Sequence, residues 1–258
     1  MPAPAAPTSY PSLKGRRVFV TGGGSGIGEA IVEAFAVQGA QVAFIDVAEE
    51  ASAALAQRLA AAGLPKPWWA RCDVRDLDAL RRSLAEAAAA VGDFHVLVNN
   101  VASDERHAFE DVTPEYWDER MALNQRPAFF AIQSVVPGMQ RLGGGAIVNL
   151  GSSGWQLKEG AYPCYAIAKS SVNGLTRGLA KPLGAHGIRI NTVTPGWVMT
   201  ERQVKLWLTP EGEAALERNQ CLSDRLAPRD IAAMVLFLAS DDARLCTAQE
   251  FKVDGGWM

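Results

Sequence analysis

Long apolar runs are missing from this chain. The longest near its C-terminus, AAMVLFLA at 232–239, falls far short of the roughly 20 residues that cross a bilayer. Cysteine and histidine are sparse and scattered. Cys72, Cys164, Cys221 and Cys246 form no Cys-x-x-Cys pair, and His95, His107 and His186 stand equally far apart. Zinc-type ligand spacing is therefore absent, no metal site is expected, and the cysteines read as free thiols of a reducing compartment. An excess of positive charge is also lacking: the formal net charge is −3, which excludes the electrostatic footprint of a nucleic-acid or anionic-membrane binder. The opening MPAPAAPTSYPS has neither a basic start nor a continuous apolar segment, so it is not a secretory signal. The expected protein is soluble and cytoplasmic, with residues 1–12 as a mobile or surface-hugging arm.

What the 258 residues do contain is a regular alternation. Short β-branched runs at 16–22, 41–46, 68–74, 94–100, 145–151, 188–194 and 249–253 read as strands. Between them lie helix-prone, alanine- or leucine-rich segments at 27–38, 49–61, 76–91, 114–141 and 165–185. Strands that are apolar on both faces, each followed by a helix, imply a doubly wound α/β domain. The expected fold is a single-domain Rossmann fold over 1–258, with a seven-stranded parallel sheet and helices on both faces. No Gly-, Ser- or Pro-rich linker divides it. The stretch 197–227 breaks the alternation beyond a strand's carboxyl end, where open α/β sheets bind ligands, and is expected to form a substrate lid.

The first strand runs into the first helix through VFVTGGGSGIGEAI at 18–31. Glycines here let the backbone turn tightly and approach a pyrophosphate, whose charge then rests on the helix N-terminus. Asp46 closes the second strand, 18 residues after Gly28. A carboxylate there accepts the adenosine ribose hydroxyls and repels a 2′-phosphate. No arginine or lysine flanks it in FIDVAEE, so NAD is expected over NADP.

The order of further motifs resembles the short-chain dehydrogenase/reductase family over nearly the whole chain. Those motifs are TGGGSGIG (21–28), CDV (72–74), NNVA (99–102), ALNQ (122–125), GSS (151–153), YAIAK (165–169), PGWVMT (195–200) and VDGG (253–256). The resemblance implies cofactor contacts at Gly22, Gly24, Ser25, Gly26, Ile27, Gly28, Asp46, Asp73 and Val74. It implies further contacts at Asn100, Val101, Ala102, Tyr165, Lys169, Pro195, Gly196, Val198 and Thr200. It implies Asn124, Ser152, Tyr165 and Lys169 as the catalytic set. The family's serine precedes its tyrosine by 13 positions, the interval from Ser152 to Tyr165; Ser153 and Tyr162 are the near misses. Residues four apart share a helix face, so Lys169 is expected to set its ammonium beside the Tyr165 phenol and draw it down from about 10 toward the working pH. Asn124 would hold a water that relays protons from Lys169.

Two positions depart from the family pattern. Val101 and Ala102 replace a usual Ala-Gly and add bulk beside the cofactor, and Pro182 is expected to kink the 165–185 helix or end it early. Because that helix helps build the family's subunit interface, the expected homotetramer has a dimer as its alternative.

Stretches outside the general motifs, among them DERHAFEDVTPEYWDER (104–120) and VLFLASDDARLCT (235–247), resemble the NAD-dependent aldose 1-dehydrogenases. That likeness implies oxidation at C1 of a sugar of the D-xylose, L-arabinose, D-galactose or L-fucose type, giving the aldonolactone. Expected polar partners for the sugar are Asp104, Glu105, Arg106, His107, Gln156, Arg202 and Gln203, with Trp155 and Trp197 stacking on C–H faces and Ser152 holding the reacting oxygen. Two alternatives remain: a family member acting on another secondary alcohol or ketone (polyol, steroid, 3-oxoacyl thioester), and a non-catalytic NAD sensor.

Overall fold

The computed structural model describes residues 8–258; the first seven residues of the expected arm lie outside them. From Thr8 the chain lies against the first helix, where the Tyr10 N–H donates to Gln38 Oε1 at 2.7 Å.

Seven strands form one sheet: β1 (Arg17–Thr21), β2 (Gln41–Asp46), β3 (Trp68–Arg71), β4 (Val96–Asn99), β5 (Gly145–Leu150), β6 (Ile188–Pro195) and β7 (Glu250–Val253). Their order is β3-β2-β1-β4-β5-β6-β7, parallel throughout. The order reverses direction between β1 and β4, and a crevice opens there beyond the strands' carboxyl ends.

The helices are α1 (Gly26–Val37), α2 (Glu49–Ala61), α3 (Leu77–Val91), α4 (Pro114–Asn124), α5 (Arg126–Arg141), α6 (Pro163–Gly184), α7 (Glu201–Leu206), α8 (Pro210–Asn219) and α9 (Pro228–Ala239). Side chains alternate faces along each strand. Val18 and Val20 of β1 join Ile31, Phe35 and Ile231 of α1 and α9 in one core. Phe19, between them, joins Leu80, Leu84, Ala131 and Leu183 of α3, α5 and α6 in the other. The sheet is thus covered on both faces. Among the described residues no helix is long and apolar enough to cross a membrane, and no group of side chains could hold a metal ion.

The structure departs from the sequence reading at 114–141, which is two helices broken at Gln125 (φ −125°, ψ −57°). Pro127 is the cause: it lacks the N–H that would bond the turn before it and starts a new helix instead. Pro182 behaves differently. It sits inside α6, which runs on to Gly184, so its missing donor falls in the final turn, where the helix was about to end. The 197–227 excursion holds α7 and α8.

One framework histidine makes stability pH-dependent. His95, between β1 and β4, accepts the Arg17 N–H at Nδ1 (3.1 Å), and burial, with Arg17 and Arg16 nearby, pushes it down to about 4. The unfolded chain takes up this proton near 6.5, whereas the folded chain holds it off until about 4. Between those values the unfolded state binds more protons, so stability falls as pH falls. Urea midpoints should drop from pH 6.5 to 4 in the wild type, and His95→Asn, which keeps an acceptor near Nδ1, should flatten that slope. An equal slope in both proteins would contradict the assignment.

Candidate active site

A cavity of about 640 Å³ lies at the strands' carboxyl ends and runs from Asp46 to the excursion after β6. At its centre the glycine loop leaves β1. Gly22 has φ +69°, which an L-residue rarely adopts. A Cβ on Gly28 would sit 1.8 Å from the Gly22 carbonyl oxygen, so the first turn of α1 closes on the loop only with glycine there. Ser25 begins α1 without a side-chain cap, leaving the first-turn N–H groups for an outside acceptor. Asn100 Nδ2 donates to the Gly22 carbonyl at 2.9 Å and stitches the loop to β4. Val101, bulkier than the family norm, packs over Gly22 and lines the cavity.

Asp46 accepts the N–H groups of Gly24 (2.8 Å) and Ala48 (2.9 Å), which aims its carboxylate along the cavity edge. Asp73 and Val74 line the same end. The Arg75 guanidinium, 2.6 Å away, holds the Asp73 carboxyl below its usual range against the effect of burial. Tight glycine loop, open helix N-terminus, acid after β2 and elongated cavity together fit a dinucleotide.

At the other end β5 delivers Ser152, and α6 delivers Tyr165 and Lys169 to the same cavity. Ser152 Oγ accepts the Gly154 N–H at 3.1 Å, which leaves its own hydrogen free to donate. Lys169 is buried and donates to the Leu150 carbonyl at 2.7 Å, with Nζ 5.9 Å from the Tyr165 ring centre. Burial lowers Lys169 to about 8. Tyr165, half-buried, is pushed up to about 12 by burial, against a lowering by the Ser152 hydroxyl. The expectation that Lys169 draws this phenol toward neutral pH is therefore not met by the protein alone. Loss of water around the phenolate outweighs the lowering by the Ser152 hydroxyl and by Arg106 and Arg202. The side-chain charges acting on the ring are Asp104, which raises it, and Arg106 and Arg202, which lower it.

Asn124 ends α4 and spends its amide on Ser103: Oδ1 accepts the Ser103 N–H (2.7 Å) and Nδ2 donates to its carbonyl (3.2 Å). One N–H and one lone pair of that amide remain unused by these two bonds. A second cavity of about 20 Å³, lined by Asn99, Asn124 and Lys169, has room for one water. Asn99, whose buried Oδ1 has no partner among the described residues, is one of the residues around it.

The expected polar contacts divide. Asp104, Arg106, Trp197, Arg202 and Gln203 line the cavity, but most bond one another. Asp104 accepts from Arg202 (2.6 Å) and Gln203 (2.8 Å), and Gln203 Oε1 accepts from Trp197 Nε1 (3.0 Å). Burial opposes the Asp104 charge, yet Gln203 and Arg202 hold its carboxyl below the usual range. His107, Trp155 and Gln156 lie outside the lining. His107 Nε2 accepts the Cys164 N–H at 3.2 Å and so caps α6; Gln156 bonds Glu250 and Lys252 beside β7. Glu105 pairs with Arg120 at 2.8 Å. Sequence reasoning missed Leu157, Glu159, Ala215 and Trp257 as lining residues, since none sits in a motif. Tyr162 lines the cavity too. Its hydroxyl bonds Glu159 (3.0 Å) and its ring meets Tyr165 edge-on at 5.5 Å.

A family profile described as enoyl-(acyl carrier protein) reductase matches residues 22–258. The chain is 50% identical to the D-xylose 1-dehydrogenase of Caulobacter vibrioides over 248 residues, covering 96% of this chain and 98% of that one. It is 48% identical over 249 residues to the probable galactose dehydrogenase GalD of Rhizobium meliloti, with coverage of 96% and 97%. Among solved structures, a short-chain dehydrogenase/reductase from Serratia marcescens superposes with TM-score 0.88 at 32% identity, covering 95% of this chain and 99% of that one. A metagenomic blue fluorescent protein in complex with NADPH does so with TM-score 0.87 at 36% identity and the same coverages.

Proposed function

The chain belongs to the short-chain dehydrogenase/reductase family, as an oxidoreductase acting on CH–OH groups, and on that premise we propose that it oxidises an aldose at C1 to the aldonolactone with NAD. One observation carries the reading. A single cavity joins the dinucleotide cradle to Ser152 and Tyr165 and ends in a mouth of charged and amide side chains. Such a mouth suits a substrate with many hydroxyls, because each buried hydroxyl left unpaired costs roughly 1–3 kcal/mol. The sugar names of the two relatives support the same class.

In this reading the glycine loop and the start of α1 hold the pyrophosphate, Asp46 the adenosine ribose, Asp73 and Val74 the adenine, and Lys169 the nicotinamide ribose. Ile27, Pro195, Gly196, Val198 and Thr200 line the nicotinamide end. The bound nicotinamide supplies the hydride acceptor and, when oxidised, a positive ring. Ser152 donates its hydrogen to the anomeric oxygen and fixes it. Tyr165 takes the anomeric proton as the C1–H bond breaks and the C1=O bond of the lactone forms. The proton leaves through Lys169 and the small cavity behind it. The 197–227 segment covers the sugar, tied down by the Asp104–Arg202–Gln203 contacts. Exposed Trp117, Phe129 and Ile167 on α4, α5 and α6 support self-association, with a homotetramer expected.

Aromatic lining by Tyr162, Trp197 and Trp257 favours one second reading, a less polar secondary alcohol. Initial rates of reduced-cofactor formation from D-xylose, L-arabinose, D-galactose, L-fucose and cyclohexanol separate the two. The proposal expects turnover of at least one aldose and little of cyclohexanol; turnover of cyclohexanol with no aldose oxidised would overturn it.

A further inference from the structure

Arg106 differs from every polar neighbour in the cavity mouth. Its guanidinium lies 4.3 Å from the Tyr162 ring centre and 4.7 Å from that of Trp207, so aromatic rings from two separate segments hold it. A guanidinium carries five N–H donors along its edge. Among the described residues Arg106 makes one long hydrogen bond, from Nη1 to the Asp104 carbonyl at 3.4 Å, and a loose ion pair with Asp104 Oδ2 at 3.6 Å. The side chain is 26% exposed and lines the cavity, so its remaining donors face the space a substrate would fill. Asp104, Gln203, Trp197 and Tyr162 have by contrast spent their polar ends on one another or on Glu159.

We propose that Arg106 is the specificity-determining residue of this site, donating from its stacked guanidinium edge to hydroxyl oxygens of the substrate away from the reacting carbon. The inference rests on the aldose reading and deepens it. Stacking fixes the fork in advance, so little side-chain freedom is lost when it donates. The Tyr162 ring under the guanidinium also meets Tyr165 edge-on, so an oxygen held by Arg106 is held beside the proposed base. Charge narrows the class further. Asp104 stands beside the guanidinium, and Glu159 lies at the far end of the Tyr162 ring. Arg106 and Arg202 offset these two carboxylates, so the mouth has no surplus of positive charge to favour a carboxylate or phosphate over a neutral hydroxyl. Uncharged sugars are thus expected to be at least as good substrates as uronic acids.

The test compares Arg106→Met and Arg106→Lys with the wild type, using NAD with D-xylose, D-galactose and D-galacturonate. Arg106→Met should raise KM for the neutral aldoses roughly 10- to 100-fold, the loss expected for one or two charged hydrogen bonds. Its kcat should fall much less, and its NAD affinity, read by tryptophan quenching, should hold. Arg106→Lys keeps the charge without the planar fork and should recover only a small part of KM. A melting curve for each variant checks folding; if Arg106→Met fails to fold, the same comparison is made with Arg106→Gln. An unchanged KM, full rescue by lysine, or a wild type that prefers galacturonate would overturn the proposal. If the wild type oxidises no aldose, the function reading falls by itself. Arg106 is then judged on whichever alcohol is turned over, and an unchanged KM there overturns it as well.

Discussion

Replacing Tyr165 by phenylalanine should cut turnover roughly 10²- to 10⁴-fold, the range typical of a lost general acid–base, while leaving dinucleotide affinity close to that of the wild type. The ring of Tyr165 remains in Tyr165→Phe, so packing against Tyr162 at 5.5 Å survives and only the proton acceptor goes. Tyr162→Phe is the matched control. Its hydroxyl is bonded to Glu159 rather than placed beside Ser152, and most of kcat should remain. The pH profile adds a second signature. The free enzyme's phenol is pushed up to about 12 and its lysine down to about 8. The logarithm of kcat/KM for the sugar should climb with pH as the reactive phenolate fraction grows. The residual activity of Tyr165→Phe should lack the climb. A variant that retains wild-type kcat would remove Tyr165 from the chemistry.

The second large effect concerns the cofactor. Asp46 is held by two backbone N–H groups with its charge at the cavity edge, and no basic residue flanks it in sequence. A 2′-phosphate would face that carboxylate, and like charges in contact cost several kcal/mol. The wild type should therefore prefer NAD to NADP by roughly 10²-fold or more. Asp46→Asn keeps an oxygen for the Gly24 or Ala48 N–H but loses the charge, and should shrink the preference at least about tenfold. Asp46→Ala also releases both N–H groups and should weaken both dinucleotides. Equal wild-type KM values for NAD and NADP would contradict the assignment of Asp46.

Local signals were legible in the sequence. All seven strand segments were readable from β-branched runs, and the glycine loop and the Ser152–Tyr165–Lys169 spacing point to one cavity. Contacts between distant segments were not legible. Asp104 and Arg202 lie 98 positions apart and bond one another, a pairing that no local pattern in the sequence shows. His107 reads as a polar loop residue, yet Cys164, 57 positions on, supplies the N–H that occupies it. Helical spacing places Lys169 near Tyr165, but the burial that raises the phenol comes from distant segments packed around it. The break at Gln125 could have been read from Pro127, whose effect is local.

The central claim is that a hydride leaves C1 of an aldose while Tyr165 takes the anomeric proton. The aldose turned over in the rate panel, deuterated at C1 and incubated with enzyme and NAD, tests this most directly. The account predicts one deuterium per reduced nicotinamide, an equal amount of the aldonolactone, and loss of both signals together in Tyr165→Phe. Reduced nicotinamide without deuterium, or deuterium transfer that persists at the wild-type rate in Tyr165→Phe, would contradict it.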